Sequence, residues 1–484
     1  MVTPESKGIS SAYLEKMLRE LDSFGVPMHS LMIARGDDII LDAYWSPITK
    51  DTLHRMNSVT KSFVALAIGC LIDEGRISLT DRAVDYFPEA NSFNLNAHQA
   101  SLTIEDMLTM RTGYRPCGNG HWVRDREYGR IKDYFEREPK ADKGDSFYYD
   151  SAGSYVLGVI VERLTGKSFI KYLQERVLDK IGFSRDADCI KGGEGYSWSD
   201  SGLLCTTEDL YKTAKFINAR GVHNGERLMS EKFLTDAVSK KASTDDNSFF
   251  KNMGYGYQIW RTKRDGFMFL GMGAQIMLCI PDRDLYILCT ADTQPTEDYR
   301  DFIFKQFFDL IDRDKYDVLP QNNEACESLM RYVNSLKLVS YKSTDTALDG
   351  AVMLGRRYTT NENPMGIKWF SLEISGNRGK FLYENAQGEK EIKFGIGHNE
   401  FSEFQEDGYF DMEVGVSPRG HRYPIAASAR ITDSRTVEIW VQFIGRHLGG
   451  DFITLAFSDD GVRLSMKKTT NCFLDRYSGD AVGK

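Results

Sequence analysis

No stretch of this chain has enough uncharged apolar residues to cross a bilayer, and Met1 to Asp22 hold no apolar core of a secretory signal. Positive charge is not in surplus either: 61 Lys and Arg face 70 Asp and Glu, for a net charge of −9. That balance argues against nucleic acid as the main partner. The eight cysteines form no CxxC pair, and several lie inside apolar runs, so they read as reduced thiols used as small hydrophobes. The eight histidines are scattered with no HxxxH pair, which speaks against a zinc site. Internal repeats and low-complexity linkers are absent. The expectation is a cytoplasmic protein without membrane, nucleic-acid or metal partners.

Cofactor motifs fail in informative ways. Gly166-Lys167-Ser168 has the end of a phosphate-binding loop, but Val161 stands where its first glycine belongs. Gly254-Tyr255-Gly256 and Gly271-Met272-Gly273 lack the later glycine and following helix of a dinucleotide fingerprint. There is no GxSxG elbow. If the chain is an enzyme, it reads as one without a cofactor.

There is ample material for packed cores: 484 residues, 41% of them hydrophobic and 12% aromatic. That length calls for two or three domains. Tyr13, Leu14, Met17, Leu18, Leu21 and Phe24 recur at helical spacing after Ser10 and Ser11, and the run ends at Gly25. Leu31–Ala34 and Ile39–Tyr44 flank Arg35-Gly36-Asp37-Asp38 and read as a hairpin. Helices are expected from Thr103, Ser154, Thr206 and Glu297, with strands at 255–260, 267–270, 275–280 and 285–290. Together these make a mixed domain over 1–320, with helices packed on an antiparallel sheet. After a linker at 321–348, short alternating segments separated by turns fill 349–484 and read as an all-β barrel or sandwich.

The chemistry centres on Asn57-Ser58-Val59-Thr60-Lys61-Ser62-Phe63 and the apolar run through Ile72. A helix hydrophobic on all sides is normally buried. Ser58 and Lys61 are one turn apart at the helix end that carries partial positive charge. A lysine there, partly desolvated, is expected to have a lowered pKa and to take the serine proton. Ser168/Lys171, Ser248/Lys251 and Ser465/Lys468 share the spacing but have no buried helix behind them.

Ser58-Val59-Thr60-Lys61, Tyr149-Asp150-Ser151 and Gly271-Met272-Gly273 follow one another in an order that resembles the three motifs of the penicillin-binding-protein and class C β-lactamase superfamily. Leu102 to Gly113 and Ser201 to Leu210 add to the likeness, which spans about residues 5 to 315. The similarity is greatest to the esterase, D-aminopeptidase and nylon-oligomer-hydrolase branch, and the tail is similar to the lipocalin-like domains of some such enzymes. The resemblance implies an α+β fold: a β-lactamase-like domain followed by an all-β lipocalin-like barrel. It also implies an acyl-enzyme in which Ser58 is the nucleophile, Lys61 the base and Tyr149 the proton relay. The N–H groups of Ser58 and Ala274 would form the oxyanion hole.

Two departures bear on the substrate. Gly271 stands where β-lactamases and penicillin-binding proteins usually carry Lys or His, so a cation for a substrate carboxylate is missing there. Ser151 replaces an Asn; its hydroxyl suits a bond to Lys61 or substrate, and equally a helix N-cap. Trp122, Tyr128, Trp198 and Gln275 are pocket candidates, with Gly273 in the third motif. These features point to a hydrolase of esters, small amides or short peptides, including D-amino-acid peptides. Acyl transfer to an amine, or a catalytically silent binding scaffold, are the alternatives. The tail is expected either to roof the site or to brace a homodimer.

Overall fold

A computed structural model describes the whole chain except residues 1, 115–128, 193, 245–252, 315–316, 351, 353, 406–421, 471–473 and 475. Trp122 and Tyr128 lie outside the described residues. The chain divides into two compact units. The first takes residues 1–24, 28–291 and 300–337; the second takes 25–27, 292–299 and 338–484.

In the first unit β1 (Met28–Arg35) and β2 (Asp38–Tyr44) form the expected hairpin. Short strands follow: β3 (His54–Arg55), β4 (Asp188–Cys189) and β5 (Leu203–Cys205) make one small sheet, and β6 (Val222–His223) pairs with β7 (Glu226–Arg227). β8 (Trp260–Arg261), β9 (Phe267–Gly271), β10 (Gln275–Ile280) and β11 (Leu285–Ala291) complete the main sheet. Its order is β2-β1-β11-β10-β9-β8, antiparallel throughout. β1, β10 and β11 are buried along their whole length, as strands covered on both faces must be.

The expected strand at 255–260 begins only at Trp260. Gln258 takes a left-handed conformation (φ +56°), and the Gly256 N–H donates across it to the Ile259 carbonyl. The turn aims the Gln258 amide into the core, where Oε1 accepts from Ser154 at 2.6 Å and Nε2 donates to the Met107 carbonyl at 2.9 Å. Its own carbonyl accepts from Ser62 at 2.6 Å. Gln258 thereby ties three helices together through its side chain and its carbonyl, which ladder pairing would not do.

Helices sit where their caps place them. Thr103 and Asp106 form a reciprocal capping box before Ile104–Leu108, and Thr206 with Asp209 does the same before Thr207–Asn218. The helix Val59–Asp73 is buried from Val59 to Leu71, as its all-apolar surface requires. It packs on β9, β10 and the helix Ser151–Thr165, with Phe63 set edge-on to Phe183 and Phe269. Residues 321–348, expected as a linker, contain the helix Asn323–Val333, which packs on Ser11–Phe24. There Arg19 lies 4.0 Å over the Tyr332 ring, and the Tyr332 hydroxyl bonds Asp22. Among the described residues no helix is long and apolar enough to cross a membrane.

His29 on β1 and His54 on β3 are both buried, with Nδ1 of His29 2.6 Å from Nε2 of His54. His54 Nδ1 donates to the Arg55 carbonyl at 3.1 Å, so its Nε2 must accept from His29 in a neutral pair. Burial holds both imidazoles below their ordinary range, His54 down to about 4. The unfolded chain therefore takes up protons first, and stability present above about pH 6.5 is lost as the pH falls toward 4. Each histidine contributes a slope of up to about 1.4 kcal/mol per pH unit in that window. Thermal unfolding from pH 7 to 5 should show a falling midpoint in the wild type and a flatter profile in His29→Gln/His54→Gln. Equal slopes would remove the pair as the cause.

The second unit is a ten-stranded antiparallel sheet but for one short parallel contact, 395–396 with 428–429. It runs from Tyr358–Thr359 to Gly479–Gly483. These two end strands meet, since Thr359 and Lys484 exchange backbone hydrogen bonds, and the sheet closes nearly into a barrel. Alternation is clear on Leu448–Ser458, where Ile453, Leu455 and Phe457 are buried and Phe452, Thr454 and Ala456 are half-buried. The described cysteines, Cys70, Cys189, Cys205, Cys279, Cys289 and Cys326, are free thiols.

Candidate active site

Asn57 initiates the site. Its φ of +47° turns the chain into the helix, and its amide donates to the Met272 carbonyl at 2.9 Å. Asn tolerates this conformation better than most residues. Ser58 then occupies the N-cap position but makes no side-chain cap bond. Its Oγ instead lies 2.7 Å from Lys61 Nζ. Lys61 is 1% exposed and also donates to the Asp200 main-chain carbonyl at 2.7 Å. Thr60 fixes the turn from behind: its hydroxyl donates to the Asn57 carbonyl at 2.6 Å and accepts from the Leu203 N–H at 3.0 Å. A hydroxyl free of capping duty beside a buried amine is an arrangement for activating a nucleophile.

Tyr149 stacks on Trp260 with ring centroids 5.8 Å apart, and Lys61 Nζ lies 5.2 Å from its ring centroid. The helix behind it begins at Ser151, three residues before its expected start, because Asp150 is the cap and accepts from the Ala152 N–H. Ser151 is thus the first helical residue, which corrects the reading of it as an N-cap. It makes no hydrogen bond to Lys61, whose second partner is Asp200. Asp150 is buried, and that burial raises its pKa despite Arg137 Nη1 at 3.7 Å.

Gly271 ends β9 against the turn that leads into Ser58. A Cβ at this position would lie 2.2 Å from the Met56 carbonyl oxygen and 3.2 Å from the Ser58 nitrogen. Glycine is required there by close approach, and a Lys or His would not fit this backbone. Gly271→Ala should therefore push residues 56–58 aside, cost about 1–3 kcal/mol and slow covalent labelling of Ser58 about a hundredfold. Unchanged labelling kinetics would show that the contact relaxes freely.

The turn after Gly271 carries Gly273 (φ +80°) and Ala274 (φ +66°), the latter an unusual left-handed alanine. Among the described residues no acceptor takes the N–H of Ser58, Met272, Gly273 or Ala274. The turn thus has free donors to set against the Ser58 N–H around a developing oxyanion. Gln275 braces the turn from beneath: it is fully buried, with Nε2 donating to the Met272 carbonyl at 3.0 Å and the Ala291 carbonyl at 2.7 Å. Trp198 is buried under Arg130, whose guanidinium lies 4.2 Å from its ring centroid and 4.8 Å from that of Tyr155. Asn57 and Asp200 contact the site and were missed by sequence reading. A short polar residue just before Ser58 was the available signal, and it pointed to Asn57 alone.

A family model described as Beta-lactamase matches residues 14–306. The 6-aminohexanoate-dimer hydrolase of Paenarthrobacter ureafaciens is 28% identical over 54% of this chain and 71% of its own length. A candidate 6-aminohexanoate-dimer hydrolase of Bacillus anthracis superposes with a TM-score of 0.53 at 20% identity, over 63% of this chain and 83% of that one. A family VIII carboxylesterase gives a TM-score of 0.50 at 16% identity, over 63% and 98%. With a serine–lysine pair at the head of a buried helix and the model spanning that helix and the main sheet, the chain belongs to the β-lactamase family of serine hydrolases.

Proposed function

We propose that this hydrolase cleaves an ester, small amide or short peptide through an acyl-enzyme on Ser58. The observation that carries the reading is the uncapped Ser58 hydroxyl 2.7 Å from buried Lys61 Nζ. Lys61 in its amine form takes the hydroxyl proton as Oγ attacks the carbonyl carbon. The oxyanion is met by the Ser58 N–H and a donor of the 272–274 turn, and Tyr149 passes a proton to the leaving group. Water then attacks the acyl carbon, Ser58 Oγ leaves with the returned proton, and the acid is released.

Gly271 bears on the substrate class. Its flush contact with Met56 leaves no place for a carboxylate-binding cation, which argues away from β-lactams and peptides ending in D-alanine. The test is intact-mass analysis after a p-nitrophenyl ester, with products followed with and without an added amine. A Ser58 adduct that resolves to free acid is expected. Resolution mainly to the amide would make the enzyme an acyl transferase, and no adduct with any ester would favour a silent scaffold.

A further inference from the structure

Among the described residues Gln258 bonds no reacting group, yet it is tied to the elements that carry both Lys61 and Tyr149. It is 1% exposed and sits at φ +56°, a conformation uncommon for a glutamine. Backbone of this kind persists where the surroundings over-determine it, and it gathers at functional sites. Both ends of its amide and both of its main-chain polar groups are bonded. The main-chain N–H donates to the Leu108 carbonyl at 2.9 Å, and Nε2 to the Met107 carbonyl at 2.9 Å. Oε1 accepts from Ser154 and the main-chain carbonyl from Ser62, each at 2.6 Å.

Toward Lys61 the tie is one residue long. Ser62 follows Lys61 on the buried helix, so its bond to the Gln258 carbonyl fixes the depth and rotation of that helix. Toward Tyr149 there are three ties. Trp260, two residues after Gln258, stacks on the Tyr149 ring with centroids 5.8 Å apart. Ser154 lies on the helix that starts at Ser151, just after Tyr149. The third runs through Leu108 to Met110, which is itself left-handed at φ +54°. The Met110 carbonyl accepts from the Tyr148 N–H at 3.0 Å, and its Sδ from the Asp150 N–H at 3.4 Å. Both neighbours of Tyr149 are thus held by a segment that Gln258 holds. Reacting side chains keep a productive geometry only when the groups behind them are locked.

We propose that Gln258 is a positioning residue for the proton relay. It sets the separation of Lys61 and Tyr149, with Nζ 5.2 Å from the ring centroid, and so the rate at which the leaving group receives its proton. This rests on the acyl-enzyme reading of Ser58 with Tyr149 as relay. The chemistry is unchanged: the bond from Ser58 Oγ to the acyl carbon forms and the serine proton passes to Lys61. Tyr149, resupplied from Lys61, delivers a proton to the leaving atom as its bond to carbon breaks.

The experiment compares p-nitrophenyl acetate, whose leaving group departs without a proton, with phenyl acetate, whose more basic leaving group gains from one. Acylation is followed in single turnover for wild type, Gln258→Met, Tyr149→Phe and the double variant, each normalised to the Ser58 sites that a fluorophosphonate labels. In Gln258→Met acylation by phenyl acetate should fall about tenfold to hundredfold, and by p-nitrophenyl acetate at most about threefold. In the Tyr149→Phe background the same substitution should add at most about twofold, since no relay is left to place.

Equal loss on both esters would be a purely structural effect and overturns the proposal, as does full additivity with Tyr149→Phe. Ser62→Ala and Ser154→Ala each delete one tie and keep the test in force if Gln258→Met does not fold. Each should slow phenyl acetate at least about threefold more than p-nitrophenyl acetate, and a loss without that selectivity overturns the proposal. Failure to label Ser58 in the wild type sinks the acyl-enzyme reading, and a wild-type rate on phenyl acetate in Tyr149→Phe sinks the relay. Normal labelling with wild-type rates in Gln258→Met, or with turnover of neither ester, sinks only the role of Gln258.

Discussion

Ser58→Ala will carry no fluorophosphonate adduct, and its turnover of any substrate will fall at least about a thousandfold, to whatever binding and the oxyanion donors alone sustain. The size of the effect follows from the geometry. No other described serine is set on a buried lysine at the head of an all-buried helix. The fold should survive, because the Ser58 side chain makes no cap bond whose loss would unwind the helix. Thermal unfolding within about 1 kcal/mol of wild type is expected, since no cap is lost. Intact-mass spectrometry decides the matter: an adduct that persists in Ser58→Ala would place the nucleophile elsewhere.

Lys61→Ala should lower the acylation rate about a hundredfold to ten-thousandfold, the range of a positioned general base. Its structural cost is separate and smaller. Removing the side chain leaves the Asp200 carbonyl without its donor and opens a cavity behind Ser58, together about 2–4 kcal/mol. Lys61→Met fills most of that volume without a base, so the two variants should share the rate loss while Met keeps more of the stability. The readout is stopped-flow acylation beside thermal unfolding. Acylation in Lys61→Met at near wild-type rate would remove Lys61 from the base role, whatever its effect on folding.

Much of this was legible in the chain. Ser58 and Lys61 face each other because residues three apart share a helix face, a relation that needs no tertiary knowledge. The buried helix announced itself by apolar residues on all sides, and two other helix starts by their capping threonines, Thr103 and Thr206. The tail showed period-two alternation, and long strands such as Tyr423–Asp433, Thr436–Ile444 and Leu448–Ser458 lie within it, whereas Tyr358–Thr359, Glu400–Phe404 and Gly479–Gly483 carried no such signal. Where reading failed, a tertiary contact had overruled a local preference. The run 255–260 has strand composition, but the core bonds of Gln258 hold it in a turn. Ser151 looked like a cap because it precedes an apolar helix, yet buried Asp150 performs that task one residue earlier.

By itself, then, the chain determined the facing Ser58–Lys61 pair, the buried helix behind it and the alternating pattern of the β tail. All of these are local in sequence, set by periodicity, capping and spacing within a few residues. Only the tertiary structure decided what surrounds the pair. Asp200 reaches Lys61 across 139 positions. Asn57 reaches Met272 across 215. Gly271 closes on Met56 at a distance that no side chain survives. Such contacts are created when β9 and β5 dock on the turn before the helix, and docking depends on the packing of whole elements, which no short window of residues encodes.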